Sequence, residues 1–107
     1  MIENKEQFFK AAPARKTIQL KVGDEEMVFS ELSVKDRYDY FALKKDGGVD
    51  VDRAAAFILV RSSGFLEDSD IDRVVELFSP ESLALISHQI LALSGMIQSY
   101  EAEEEKK

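Results

Sequence analysis

The stretch "DRAAAFILVRSS", residues 52–63, decides the fold. Apolar residues run unbroken from Ala54 to Val60 between Arg53 and Arg61. A run of that length is a buried strand or a buried helix, and periodicity alone does not separate the two. Composition does. Consecutive alanines are good helix formers and poor strand formers, and Asp52 and Arg61 carry the charges that the two ends of a helix dipole stabilise. The stretch therefore predicts a helix over about 50–63. On its wheel Val51, Ala54, Ala55 and Ile58 share one side, and Ala56, Phe57 and Val60 lie across the axis. A helix that is apolar nearly all round belongs at the centre of a fold or at an interface.

Working back toward the amino end, "SVKD" at residues 33–36 places a serine three residues before an aspartate, a variant of the capping box that opens a helix. Val34, Tyr38 and Phe41 follow at the i, i+4 and i+7 positions of one stripe. Lys44 and Lys45 suit the negative end of the dipole, and Gly47-Gly48 predicts the stop. Before this helix the period changes to two. Ile18, Leu20 and Val22 alternate with Thr17, Gln19 and Lys21, then "GDEE" turns the chain and "MVFSEL" returns it, so residues 16–32 predict a β-hairpin. An isolated hairpin is marginal in water, so its apolar face must lie on helices. The segment "IENKEQFFKAA", residues 2–12, is a short helix stopped by Pro13 or a loose arm. Its Phe8-Phe9 pair either docks onto the domain's own core or reaches a neighbouring subunit.

Toward the carboxyl end, "GFLED" breaks the chain and "SDIDRVVELF" starts a short amphipathic helix, with Asp68 or Ser69 as cap and Ile71, Val74, Val75 and Phe78 on its stripe. Ser79-Pro80 opens the last helix, a serine cap followed by proline at the first helical position. Leu83, Ile86, Ile90, Leu93 and Ile97 make one stripe, and Leu85, Ala92 and Met96 make a second that Gln89 interrupts. Two wide-faced helices are more than one small core obviously needs. The surplus is an intersubunit or partner surface, or else the two form a well-wrapped central pair.

The expected fold is thus mainly α with a small N-terminal β-hairpin, an α+β arrangement in which four short-to-medium helices pack as a small bundle against the hairpin. The expected division is an arm over 1–15 and a single globular domain over 16–97, followed by a charged tail over 98–107. Within the domain lie the hairpin at 16–32 and helices at about 33–45, 50–63, 69–78 and 80–97.

Composition bounds the function classes. The 107 residues, 45% hydrophobic and 33% charged, give a globular profile with enough length for one core. Without cysteine there is no disulfide framework and no thiolate metal site. The longest apolar run falls far short of the roughly 20 residues that cross a bilayer. No leader pattern opens the sequence, so the cytoplasm is the expected compartment. Net charge is −7, with five basic and two acidic side chains in residues 1–22 against nine and nineteen in residues 23–107. An acidic body repels polyanions, which argues against a nucleic-acid partner.

Motifs for chemistry fail on inspection. Asp68, Asp70 and Asp72 alternate as in a calcium loop, but the sixth and twelfth places hold Arg73 and Ser79 where glycine and glutamate are required. Acids gathered at a helix start need no ion, since the dipole stabilises them there. His88, the only histidine, has neither cysteine nor a second histidine to complete a zinc site, and "DGGVD" lacks the lysine and spacing of a phosphate loop. The expectation is no enzyme and no cofactor.

At the junction of hairpin and helix, "ELSVKDRYDY", residues 31–40, resembles the corresponding segment of tail assembly chaperones of long-tailed bacteriophages. The second half carries the same likeness: an alanine-rich helix ending in serines ("RAAAFILVRSS"), a Phe-acid-Asp helix start ("GFLEDSDIDRVVELF") and a final helix closing in "LSG" ("SPESLALISHQILALSGM"). The likeness spans roughly residues 16–97 and lies in element order and short apolar words. It implies a non-catalytic, small, acidic, helical and oligomeric protein that coats the tape-measure protein before the tail tube polymerises, in the host cytoplasm. It also implies a longer form of the chain made by a −1 frameshift, and adenine-rich codons for Lys106-Lys107 would suit one. A chaperone for a helical client needs exposed apolar positions. Phe57, Val60, Leu85 and Met96, lying off the main stripes, are the expected partner or oligomer surface. The alternatives are a structural head-tail or tail component of a phage, and a small acidic regulator that inhibits a target.

Overall fold

Helix α3, Val51–Ser63, runs through the middle of the molecule, and its composition explains the whole arrangement. The structure, a computed structural model, describes residues 1–45 and 50–97. The expected stop at Gly47-Gly48, the side chains of Lys44 and Lys45 and the tail at 98–107 lie outside the described residues. The Asp50 carboxylate caps the first turn of α3 by accepting from the Asp52 N–H at 2.9 Å. At the other end the Ser62 and Ser63 hydroxyls donate to the Leu59 and Val60 carbonyls at 3.1 and 2.8 Å. Ser63 Oγ also accepts from the Leu66 N–H at 2.9 Å, and Gly64 at φ 85° takes the left-handed position that closes the helix.

Every residue of α3 from Ala54 to Val60 is buried. The other elements surround it. Strands β1, Thr17–Val22, and β2, Glu25–Ser30, form an antiparallel hairpin in which Ile18 faces Phe29 and Leu20 faces Met27. Gly23, at φ 65°, begins the two-residue loop between them, as a hairpin turn with glycine first requires. Phe29 at 0% exposure is the hairpin's deepest contribution to the core. Helix α2, Val34–Lys45, covers another side of α3, and helix α4, Ile71–Leu77, a third. Helix α5, Pro80–Leu93, lies along both α3 and β1 and buries Leu83, Ile86 and Ile90. A last helix, α1, Lys5–Lys10, precedes the hairpin with every residue exposed. The protein is therefore mainly helical with one N-terminal hairpin, as the sequence predicts. Burial of each large aliphatic or aromatic side chain in this core is worth about 1.5–3 kcal/mol.

Local signals place most boundaries. In α2 the predicted capping box is present. The Asp36 N–H donates to Ser33 Oγ at 3.0 Å and the Ser33 N–H donates to the Asp36 carboxylate at 3.1 Å. Ser79 Oγ accepts from the Ser82 N–H at 3.2 Å at the start of α5, with Pro80 next to it. Before α4 a 3₁₀ turn at Asp68–Asp70 is inserted, and its cap is Glu67 rather than Asp68 or Ser69. The Asp70 carboxylate accepts from the Glu67 N–H at 2.8 Å.

Two expectations need correction, and of the two alternatives for Phe8-Phe9 the docked one is not seen. Helix α5 ends at Leu93, not at 97: Gly95, at φ 72°, turns the chain, and the Met96 and Gly95 N–H groups donate to the Leu91 and Ala92 carbonyls. That is a Schellman closure, and it satisfies carbonyls that would otherwise end without partners. The α2 stripe Val34, Tyr38, Phe41 faces solvent, at 63%, 71% and 50% exposure. Asp36, Tyr40 and Leu43, on the other side of the same helix, turn toward α3 instead. Phe8 and Phe9 stack edge to face on one another, 5.3 Å between centroids, and remain exposed rather than docking on the core.

Candidate functional site

The orientation of α2 is fixed by Arg61, near the end of α3. Its Nη1 donates to Asp36 at 3.0 Å and to Asp39 at 2.8 Å, while Nε and Nη2 grip both oxygens of Asp68 at 2.8 Å. The guanidinium also lies 4.5 Å from the centroid of the Phe57 ring. The Asp68 bond, ahead of those to Asp39 and Asp36, pushes the Arg61 pKa above its already high ordinary value. In return Arg61 holds the Asp39 and Asp68 carboxyls below the usual aspartate range. One cation thus ties α2, α3 and the 3₁₀ turn together. It also explains why the polar residue Asp36 faces inward and the apolar stripe of α2 faces out.

The same bonds settle the acidic cluster. Asp68 is held by Arg61, Asp70 caps the Glu67 N–H, and Asp72 pairs with Arg53. Among the described residues no group of three or more His, Cys, Asp or Glu is placed to hold a metal ion. His88 is half-buried on α5, and its Nε2 is covered yet meets no hydrogen-bond partner among the described residues. No described helix is long and apolar enough to cross a membrane.

Among the hollows left between the described elements, two adjoin in an apolar groove at the tip of the hairpin. The strand period that sends Ile18 and Leu20 inward also brings Val22 and Met27 to the edge of the helical layer. There α4 and the first turns of α5 fail to close over them. Two adjoining hollows result. One, of about 380 Å³, lies between the hairpin loop and α5 and is walled by Gly23, Ser82, Leu85 and Ile86. The other, of about 290 Å³, lies against α4 and is walled by Met27, Phe65, Leu66 and Val74. Val22, Leu77 and Phe78 belong to both, so the hollows form one trough. Phe65, Leu77 and Leu85 stand on it at 60–70% exposure. Lys21 and Arg73 add two cations to its walls. Asp70 adds one anion.

Of the four residues expected at a partner surface, only Leu85 lies on this trough. Phe57, at 5% exposure, and Val60, at 1%, are core residues. The helix wheel places them across from the main stripe, but from Ala54 to Val60 both faces of α3 are covered by other elements. Met96 lies past the end of α5, half-buried, where the Schellman closure lays it against the core. Phe65 and Leu77 were not singled out from the sequence. Leu77 is the one apolar residue of "VVELF" that falls off the Ile71, Val74, Val75, Phe78 stripe, which is the signal that marks it as exposed. Comparison with known proteins finds no matching family model, no matching curated protein and no matching solved structure.

Proposed function

We propose that this protein is a non-catalytic tail assembly chaperone, which binds the tape-measure protein of a long-tailed bacteriophage and keeps it soluble in the host cytoplasm until the tail tube forms. The observation that carries the reading is the open trough around Val22, Leu77 and Phe78. A long helical client presents apolar side chains at i, i+3 and i+4, and adjoining hollows in one apolar trough are the complement of such a face. The net charge of −7 keeps a loaded complex dispersed while its apolar surfaces are engaged. The resemblance of "ELSVKDRYDY" and of the "RAAAFILVRSS" to "LSGM" region to tail assembly chaperones supplies the identity of the client.

The experiment is co-expression with the long helical reading frame encoded beside this one. The long protein is expected in the soluble fraction, co-purifying with this chain, only when the two are made together. Unchanged solubility together with no co-purification would sink the reading, and recovery of this chain in purified virions would favour a structural tail component instead.

A further inference from the structure

Each hollow of the trough carries one cation on an otherwise mainly apolar wall. Lys21 lines only the hollow between the hairpin loop and α5, and Arg73 only the hollow against α4. Both side chains are exposed, and neither makes an ion pair among the described residues. The acids nearest to them in the fold are engaged elsewhere. Glu26, opposite Lys21 across the hairpin, accepts from Gln19 Nε2 at 2.7 Å. Asp72, next to Arg73 in sequence, pairs with Arg53. Asp70, the one acid among the described residues of the walls, already accepts from the Glu67 N–H at 2.8 Å. Asp24, Glu25, Glu76 and Glu81 are close in sequence, but none is on the walls.

The chain holds 21 Asp and Glu against 14 Lys and Arg, yet the walls of the trough hold two bases and one acid. A partner lying in the trough meets those wall charges at contact, where a charge pair is strongest, while charges beyond about 8 Å are largely screened at physiological salt. The walls therefore set the sign that the partner must carry, and the net charge of −7 does not. That sign is negative. The chain's own arm has the wrong one, since Lys5 and Lys10 flank Phe8 and Phe9 and would stand against Lys21 and Arg73.

We propose that the segment bound in the trough is an amphipathic helix whose apolar stripe is flanked by carboxylates, at least one for each hollow, with Lys21 and Arg73 as the residues that select it. Apolar side chains fill the hollows around Val22, Leu77 and Phe78, and the flanking Glu or Asp side chains pair with the two cations. Like charges brought together turn away helices with basic flanks, so the cations act on the choice of partner more than on raw affinity. This selectivity rests on the reading of the trough as the client site.

Two synthetic amphipathic peptides with the same leucine stripe, one flanked by glutamates and one by lysines, are titrated against the full-length chain by fluorescence anisotropy. The glutamate peptide is expected to bind at least tenfold more tightly, although the net charge of −7 would rank the two the other way. Lys21→Glu/Arg73→Glu should reverse the order, and Lys5→Glu/Lys10→Glu, the same change of charge on the arm, should keep it. Equal affinities, tighter binding of the lysine peptide, an order that survives Lys21→Glu/Arg73→Glu, or one lost equally in Lys5→Glu/Lys10→Glu would overturn the selectivity. An uncharged variant, Leu77→Asn/Leu85→Asn, tells that failure from a failure of the trough itself. If it weakens both peptides while their flanks make no difference, only the selectivity falls; if it changes neither affinity, or neither peptide binds, the client site falls with it. A Phe8→Ser/Phe9→Ser chain that binds the glutamate peptide at least tenfold more tightly than the wild type would show that an arm, its own or a second copy's, occupies the trough, and would overturn the proposal as well.

Discussion

Arg61 Nη1 donates to Asp36 Oδ1 at 3.0 Å, and this bond joins the end of the central helix to the first turn of α2. Asp36 is doubly committed, since its other oxygen accepts from the Ser33 N–H that opens the helix. With side-chain exposures of 21% for Arg61 and 12% for Asp36, the pair is largely removed from water. Removing Arg61 leaves the largely buried Asp36 with only the Ser33 N–H and a distant Arg15 to face it, which costs more than the pair contributes net.

Arg61→Met is therefore expected to destabilise the fold by about 2–3 kcal/mol, at the lower edge for a buried pair because Arg61 keeps some contact with solvent. Asp36→Ala is expected to cost about 2 kcal/mol through the lost cap and the lost ion pair. The double variant should cost clearly less than the two losses added, because the partners share one network. Urea unfolding followed by circular dichroism measures all three. Strict additivity would mean that the two residues do not act on each other.

Acid should weaken the same network. Arg61 holds the Asp39 and Asp68 carboxyls below the ordinary aspartate value of 3.8. A depressed carboxyl contributes stability that is fully present above the unfolded value and is lost as pH falls through the folded one. The urea midpoint should thus lose this contribution only below pH 3.8, as Asp39 and Asp68 take up protons. Arg61→Met removes the cause of the depression, so its midpoint should fall less steeply in that window than that of the wild type. Parallel pH profiles for the two proteins would contradict the assignment.

Phe57 and Leu85 separate core from surface. Phe57→Ala is expected to cost about 3–5 kcal/mol, because it opens a cavity beside Tyr40 and Arg61 at the centre of the fold. Leu85→Ala, at 60% exposure, should stay within about 0.5 kcal/mol of the wild type. Paired denaturation curves test both, and equal costs would mean that α5 presents Leu85 to the core.

His88 offers the opposite sign. Its covered Nε2 lacks a partner among the described residues, and an unpaired buried polar atom costs about 1–3 kcal/mol. His88→Leu should raise stability by about 1 kcal/mol, with the same helicity. A loss of stability would show that Nε2 is satisfied in solution.

Much of this architecture is legible in the sequence, because local signals and burial agree. The alanine run and its flanking charges identify α3, the Gly23-Asp24 turn between alternating strands identifies the hairpin, and Ser33, Ser79 and Pro80 mark their helices before any contact is known. What the sequence hides is which way a helix faces when two of its sides are apolar. In α2 the Val34, Tyr38, Phe41 stripe is as long as the side that carries Tyr40 and Leu43. The choice is made by Arg61, 25 residues from Asp36 along the chain. In α3 the same ambiguity disguised Phe57 and Val60 as surface. The trough is hidden for another reason. It is a gap between the hairpin loop, α4 and α5, and no single element carries its pattern; helical periodicity sets Leu77 and Leu85 off their main stripes but does not bring them together.

The proposed binding of a helical client in the trough is tested by the affinity of a purified tape-measure protein for this chain with and without Leu77→Asp. Leu77 is exposed and belongs to both hollows, so the substitution should leave the helical signal intact. Binding weakened at least tenfold by the charge is expected. Equal affinity for the two proteins, both fully folded, would contradict it.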